Sequence, residues 1–231
     1  DVASYYPALM IEYGFGSRNI ADPEKYRQIR DERLRLKAAK DPKQQPYKIV
    51  LNGTFGAMKD KHNALYDPRQ ANNVCVGGQL LLLDLIEKLE GSCELIQSNT
   101  DGLIIKVQRR RHIDRVREIC KEWEERTRMV LEFEEFERIY QKDVNNYLII
   151  HSDGSYKSKG AYVKHLDVLD YDMAIVNKAI IDYFIYHTPV EQTIQTADRL
   201  IDFQKVVKVS DKYSYAMHGE ERRPEKVLRV I

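Results

Sequence analysis

The chain has 231 residues, a formal net charge of +1, 43% hydrophobic and 32% charged residues, a balance that fits a folded domain and excludes a disordered or fibrous chain. Its strongest apolar run, LLLLDLI at 80–86, is broken by Asp84 and is far too short to cross a membrane. Cys75, Cys93 and Cys120 are odd in number and show no CxxC spacing, which argues against a disulfide frame or a zinc site and for a reducing compartment. No secretory signal is visible, so a cytoplasmic location is expected. The first residue is Asp1 rather than Met, and the expectation is a piece cut from a longer polypeptide whose N-terminal part would be a partner of this one.

Residues 1–13 (DVASYYPALMIEY) predict a strand running into a turn or short helix at Pro7. Residues 23–40 predict a helix opened by Asp22-Pro23. DPKQQP reads as a connector, and 47–60 as a second helix despite Gly53 and Gly56; together they predict an antiparallel helical hairpin. YDPR reads as a turn before an apolar helix over 71–90 that ends at Gly91. CELIQ and LIIKV predict a β-hairpin with SNTDG, residues 98–102, at its tip. An amphipathic helix follows over 112–129. LEFEEFERIY reads as a strand, and NYLIIHSDGSYKSKGAYV as a second hairpin around Asp153-Gly154. Residues 171–187 and 189–202 read as helices, KVVKVS and KVLRVI as short strands. The fold class expected is α+β: a small antiparallel sheet with helices on one face, plus a helical arm.

Charge is uneven along the chain. Pro23 to Lys48 carries nine basic and four acidic residues, and Tyr156 to His165 three Lys and no acid. His112 to Glu137 carries nine acids and five bases. Such a chain is suited to dock a polyanion on one side only.

Three segments combine into a candidate site. On a helix, Lys48, Asn52 and Phe55 lie at i, i+4 and i+7 and share a face. A cation, an amide and a ring on one stripe, with Gly56 permitting close approach, suit a phosphate, a sugar and a base; taken alone, they fit a surface Lys, a capping Asn and a core Phe better. Asp101 at the hairpin tip is either half of a favoured Asp-Gly turn pair or a carboxylate awaiting a cation. If the strand of Asp1 adjoined that of Asp101, the two carboxylates would converge and repel unless a hard divalent ion such as Mg²⁺ lay between them.

In this order, the segments resemble the motifs of family B DNA polymerases, most like the phage-encoded ones. DVASYYP resembles the motif Asp-x-x-Ser-Leu-Tyr-Pro, KIVLNGTFG resembles Lys-x-x-x-Asn-Ser-x-Tyr-Gly, SNTDG resembles Asp-Thr-Asp-Ser, and YKSKGAY loosely resembles a Lys-x-Tyr region that holds the primer. The resemblance covers roughly the first 110 residues. It implies a DNA-directed DNA polymerase core using two Mg²⁺ ions, primer-template DNA and deoxynucleoside triphosphates, with no membrane partner. Asp1 and Asp101 would ligate the metals, assisted by the carbonyl of Val2. Lys48 would contact the triphosphate and donate a proton to the leaving pyrophosphate. Backbone around Ser4 and Tyr5 would bind phosphate, Tyr6 would exclude a 2′-hydroxyl, and Asn52 and Phe55 would flank the nascent base pair. One of Arg33, Arg35 and Lys37 would join Lys48. Gly56 and Thr100 would meet the primer-template, and Lys157, Lys159 and Tyr162 would track the primer. Residues 1–13 and 66–165 would be palm, 14–65 fingers, and 166–231 thumb or its start. A phage-encoded protein would act in the bacterial host cytoplasm.

The chain departs from the family pattern at Asn99 for the first Asp of the third motif, Gly53 for Ser, Phe55 for Tyr and Tyr5 for Leu. The primer-motif Lys also stands three residues before Tyr162 instead of two. Only 40 residues separate Pro7 from Lys48, and 42 separate Gly56 from Asn99. That leaves no room for the insertions of protein-primed members, and implies a nucleic-acid primer. The main alternative is a catalytically inactive remnant that only binds nucleic acid, which would account for Asn99. A different two-carboxylate phosphoryl-transfer enzyme fits less well, because the third motif lacks an Asp-Asp pair.

Overall fold

A computed structural model describes residues 1–160, 163–164, 166 and 171–231. They form two compact units, Asp1–Phe133 and Glu134–Ile231. The first unit holds helices α1 (Tyr5–Glu12), α2 (Pro23–Ala38), α3 (Gln44–Ala57), α4 (Pro68–Leu89) and α5 (Arg110–Thr127), with the strands β1 (Glu94–Ser98) and β2 (Leu103–Lys106) between α4 and α5.

Local chemistry sets the helix starts. Asp22 and Asp67 each stand before a proline at the first helical position, and their carboxylates accept from the amides of Lys25 and Gln70. The core comes from the inward stripe of α4 (Val74, Leu82, Leu85, Leu89) against Leu9 of α1 and Val116, Ile119 and Trp123 of α5. Leu9, Val74 and Trp123 are fully buried, and removing such side chains from water contributes roughly 2 kcal/mol each. Two contacts set the spacing. The Trp123 indole N–H donates to the Leu81 carbonyl at 3.1 Å. The Tyr5 hydroxyl donates to the Gly78 carbonyl at 2.6 Å, and a Cβ at Gly78 would crowd Leu9 and Tyr5 at 3.2–3.3 Å. Glycine there lets α1 lie close on α4.

Helices α2 and α3 pack on each other. Tyr26, near the start of α2, donates to the Leu51 carbonyl in the second half of α3 at 3.1 Å, as an antiparallel pair requires. Arg27 and Arg30 of α2 pair with Glu12 of α1. The β1–β2 ladder runs from Glu94↔Lys106 to Ser98↔Leu103. Beside its tip lies the chain start: Val2 N–H donates to the Asp101 carbonyl at 2.7 Å. On its other side Val2 bridges Leu131, Ala3 N–H donates to the Val130 carbonyl, and Asp1 and Glu132 exchange backbone bonds at 2.9 and 2.7 Å.

The second unit begins with an antiparallel meander of β3 (Arg138–Asp143), β4 (Asn146–Ile150) and β5 (Tyr156–Lys159). Helices α6 (Ala174–Tyr186) and α7 (Val190–Gln195) and a 3-10 turn (Leu200–Phe203) follow. Strand β6 (Lys205–Lys208) pairs with β9 (Val227–Val230), and β7 (Ala216–His218) with β8 (Glu221–Arg223). Tyr140 of β3 stacks on Phe184 of α6, ring centroids 4.1 Å apart.

The α+β mixture agrees with expectation; several details do not. In place of one sheet, the described residues form four small antiparallel sheets. The strand expected ahead of Pro7 is a single bridge at Val2, because the short helix starts already at Tyr5 and takes Pro7 into its first turn. The third helix starts at Gln44, inside the expected connector, and the fourth at Pro68, where Asp67 caps it. LEFEEFERIY is strand only from Arg138. The helix expected over 189–202 breaks into α7 and the 3-10 turn, and the β7–β8 hairpin was not anticipated.

Candidate active-site cleft

An open cleft of about 470 Å³ in the first unit is lined by Asp1, Val2, Ser4, Tyr5, Tyr6, Pro7, Arg33, Lys37, Lys48, Asn52, Phe55, Thr100, Asp101 and Glu132. That volume lies within the range of small-molecule sites. Residues from all three sequence motifs therefore meet at one place, although they lie up to 100 positions apart.

Asp1 and Asp101 are exposed and join through the Val2–Asp101 backbone bond. Gly102, between Asp101 and β2, is buried. A Cβ built there would fall on the Asp1 carboxylate and within 3.1 Å of the Asp1 Cα, so the approach of Asp1 to the hairpin needs a glycine. At the tip, the Asn99 side-chain oxygen accepts from the Asp101 N–H at 3.0 Å, and Asn99 N–H donates to the Gly102 carbonyl at 3.0 Å. The Asn99 side chain thus shapes the turn that presents Asp101. It lines a neighbouring groove between α4 and the hairpin, with Tyr6, Cys75, Gln79, Ser98 and Thr100.

Among the described residues no group of three or more His, Cys, Asp and Glu is placed to hold a metal ion. The Asp1–Asp101 pair still fits Mg²⁺, because that ion keeps several waters and is held by one or two carboxylates plus substrate phosphates. Val2 lines the same wall.

The opposite wall is basic and aromatic. Lys48, Asn52 and Phe55 do share the cleft-facing side of α3. Lys48 is exposed and makes no ion pair among the described residues. Phe55 packs on Tyr6 with centroids 4.5 Å apart, and the Lys59 ammonium sits over the Phe55 ring, 4.2 Å from its centroid. Burial, then the nearby Cys75 and Asp101, push the Tyr6 hydroxyl above its ordinary range. Ser4 has a left-handed backbone (φ 50°) and precedes α1, whose first amides have no acceptor within the helix. Such amides attract anions.

Of the three candidate cations on α2, Arg33 and Lys37 reach the cleft and Arg35 does not. Arg35 points to the far side and pairs with Glu32 at 2.6 Å, because it lies about 200° from Arg33 on the helix while Lys37, at i+4, shares Arg33's face. Arg33 is buried, donates to the Ser4 hydroxyl, and its guanidinium is pushed down by burial, with Glu132 opposing. Lys37 pairs with Glu132. Glu132 and Lys59 were missed in the sequence. No local motif marks them, since Glu132 reaches the site only by pairing with Asp1.

The remaining candidates lie elsewhere. Gly56 does not line the cleft, and a Cβ there would meet nothing within 4 Å. Lys157 and Lys159 belong to the second unit, where Lys157 pairs with Glu134 at 2.9 Å and Lys159 lies 5.9 Å from the Tyr147 ring. Tyr162 lies outside the described residues. No helix among them is long and apolar enough to cross a membrane.

Comparison with solved structures gives the fold. The chain is similar to the family B DNA polymerase from the hyperthermophilic archaeon Pyrobaculum calidifontis, with a TM-score of 0.55 and 17% identity over 91% of this chain and 34% of that one. At this identity the likeness is one of fold: a family B DNA polymerase-like fold, in a chain spanning about a third of that polymerase's length. Among curated proteins, it is 38% identical over 69 residues to the uncharacterized mitochondrial protein ymf34 of Marchantia polymorpha, covering 30% of this chain and 89% of that protein. Over that segment the chain belongs to the same family as ymf34. No model of a known protein family matches the chain.

Proposed function

We propose that the chain is the catalytic core of a DNA-directed DNA polymerase that adds deoxynucleotides to a primer 3′-hydroxyl along a template. The observation that carries this reading is the single cleft lined by Asp1, Tyr6, Lys48, Asn52, Phe55 and Asp101, together with the polymerase-like fold.

In this reading Asp1 and Asp101, with the Val2 carbonyl, would hold two Mg²⁺ ions, which would supply offsetting positive charge for phosphoryl transfer. Lys48, Arg33 and Lys37 neutralise the triphosphate, and the amides after Ser4 orient it at the start of α1. Lys48 also gives a proton to the leaving pyrophosphate. Tyr6, backed by Phe55, lies under the sugar and leaves no space for a 2′-hydroxyl. Asn52 and Phe55 flank the nascent base pair. Thr100 lines both the cleft and the groove beside α4, a suitable position for the primer end. Gly56 offers an open backbone surface to the template, and Lys157, Lys159 and Tyr162 follow the primer. Residues 1–13 and 66–165 act as palm, 14–65 as fingers and 166–231 as thumb or its start. The phage-like subtype and the bacterial host cytoplasm rest on motif likeness alone.

Primer extension on a primed template tests the proposal. The wild-type chain should incorporate deoxynucleotides with Mg²⁺, and Asp101→Asn should lose at least about a hundredfold, the scale of one strong electrostatic contact in a transition state. DNA binding without incorporation in the wild type would favour the inactive remnant.

A further inference from the structure

The acid that sequence reading missed has a role of its own. Glu132 lies on the cleft wall with Asp1 and Asp101, opposite Arg33, Lys37 and Lys48. Its backbone is fixed by two bonds to Asp1, and its carboxylate holds the Lys37 ammonium. The cleft side chains therefore comprise three acids and three cations, and one of those cations already has an anionic partner. The influence of Glu132 also reaches Arg33.

Resting on the nucleotide reading above, we propose that Glu132 is a specificity-determining residue that makes the cleft select a metal-chelated triphosphate over a bare polyphosphate. A phosphate must share the Lys37 ammonium with Glu132 or displace it. A bare triphosphate arrives with its full negative charge and meets three carboxylates as well. A chelated triphosphate brings its own cations, which neutralise those carboxylates as it enters. Glu132 thus occupies the place of a phosphate while the cleft is empty and withholds Lys37 from pyrophosphate and other free polyanions.

The magnitude is modest. The Lys37 and Glu132 side chains are 39% and 45% exposed, so water screens the pair, and an exposed ion pair is worth a few tenths to about 1 kcal/mol, or roughly two- to fivefold in affinity.

Calorimetric titrations of the wild type, Glu132→Gln, Lys37→Met and the double variant test the idea. Each is titrated with inorganic tripolyphosphate in chelator-treated buffer and with a deoxynucleoside triphosphate in excess Mg²⁺. Glu132→Gln should bind bare tripolyphosphate about three- to fivefold more tightly, with a smaller change for the chelated nucleotide. The gain should vanish in the double variant, because it depends on Lys37. Product inhibition by pyrophosphate should strengthen in step. Binding that persists in every variant with the two ligands' affinity ratio unchanged, or a gain that survives Lys37→Met, would overturn the proposal and leave the nucleotide reading standing. Absence of binding by either ligand in any variant would overturn both.

Discussion

Gly102→Ala is the most discriminating single change at this site. The added Cβ would fall on a carboxylate oxygen of Asp1 and stand 3.1 Å from its Cα and Cγ. To restore ordinary van der Waals separation the oxygen must move by about 1 Å, and a misplacement of that size costs on the order of a hundredfold in rate. The stability cost should be small by comparison. What yields is mainly the end of an exposed side chain, so the strain falls near the low end of overpacking, about 1 kcal/mol, equivalent to roughly 2–4 °C in melting temperature for a chain of this size. The assay pairs a thermal melt with Mn²⁺ titration followed by electron paramagnetic resonance, and with primer extension. The expected result is a nearly native melt, Mn²⁺ affinity at least tenfold weaker, on the order of 1.4 kcal/mol, and extension down about a hundredfold. Wild-type metal affinity in a folded Gly102→Ala chain would show that contact with residue 102 does not position the Asp1 carboxylate.

Tyr6→Ala should raise ribonucleotide incorporation while deoxynucleotide use changes little; competition assays read the ratio, and unchanged discrimination would remove Tyr6 from the sugar-sensing role. Asn99→Ala should cost far less extension activity than Asp101→Asn, and Asn99→Asp should be tolerated or tighten metal binding, because residue 99 caps the turn through the Asp101 N–H; equal loss in Asn99→Ala and Asp101→Asn would make Asn99 a ligand. Asp67 is held well below the usual carboxylate range, first by the Arg18 guanidinium and then by backbone bonds from Arg18 and Gln70. A depressed folded-state value means its stabilisation is complete above the ordinary carboxylate range near pH 4 and fades as pH falls toward the lower folded-state value. The melting gap between wild type and Asp67→Asn should therefore be widest at pH 6 and shrink as pH falls below about 4; a gap independent of pH would refute the assignment.

The site was legible where local spacing determines geometry. Lys48, Asn52 and Phe55 needed only helical periodicity to share a face, and the motif order brought Asp1 and Asp101 together. The same periodicity separates Arg33 and Lys37 from Arg35, a signal that was present and unused. Glu132 was not legible, because its place depends on backbone pairing with Asp1 across nearly the whole of the first unit, and one sequence carries no trace of such a pairing. The sheets were poorly legible for a related reason. Strands such as Ala216–His218 and Glu221–Arg223 are three residues long, too short for an alternating pattern to emerge. The start of α3 inside its expected connector was missed because Lys43–Pro46 carries no cap signal.

The backbone pairing that sets Asp1 between the hairpin tip and residues 130–132 also has a temporal side. Its bonds span sequence separations as large as 131. The entropy of closing such loops grows only slowly with length, so the arrangement affects the final stability little but delays its formation. During synthesis α1 through α4 emerge, with Asp1 already made, long before Glu132 does. A nascent chain whose emerged part ends short of residue 132 should hold the helical wall of the cleft and the hairpin, yet lack the backbone partner that fixes Asp1. Metal binding would then appear late and abruptly along the length of the nascent chain.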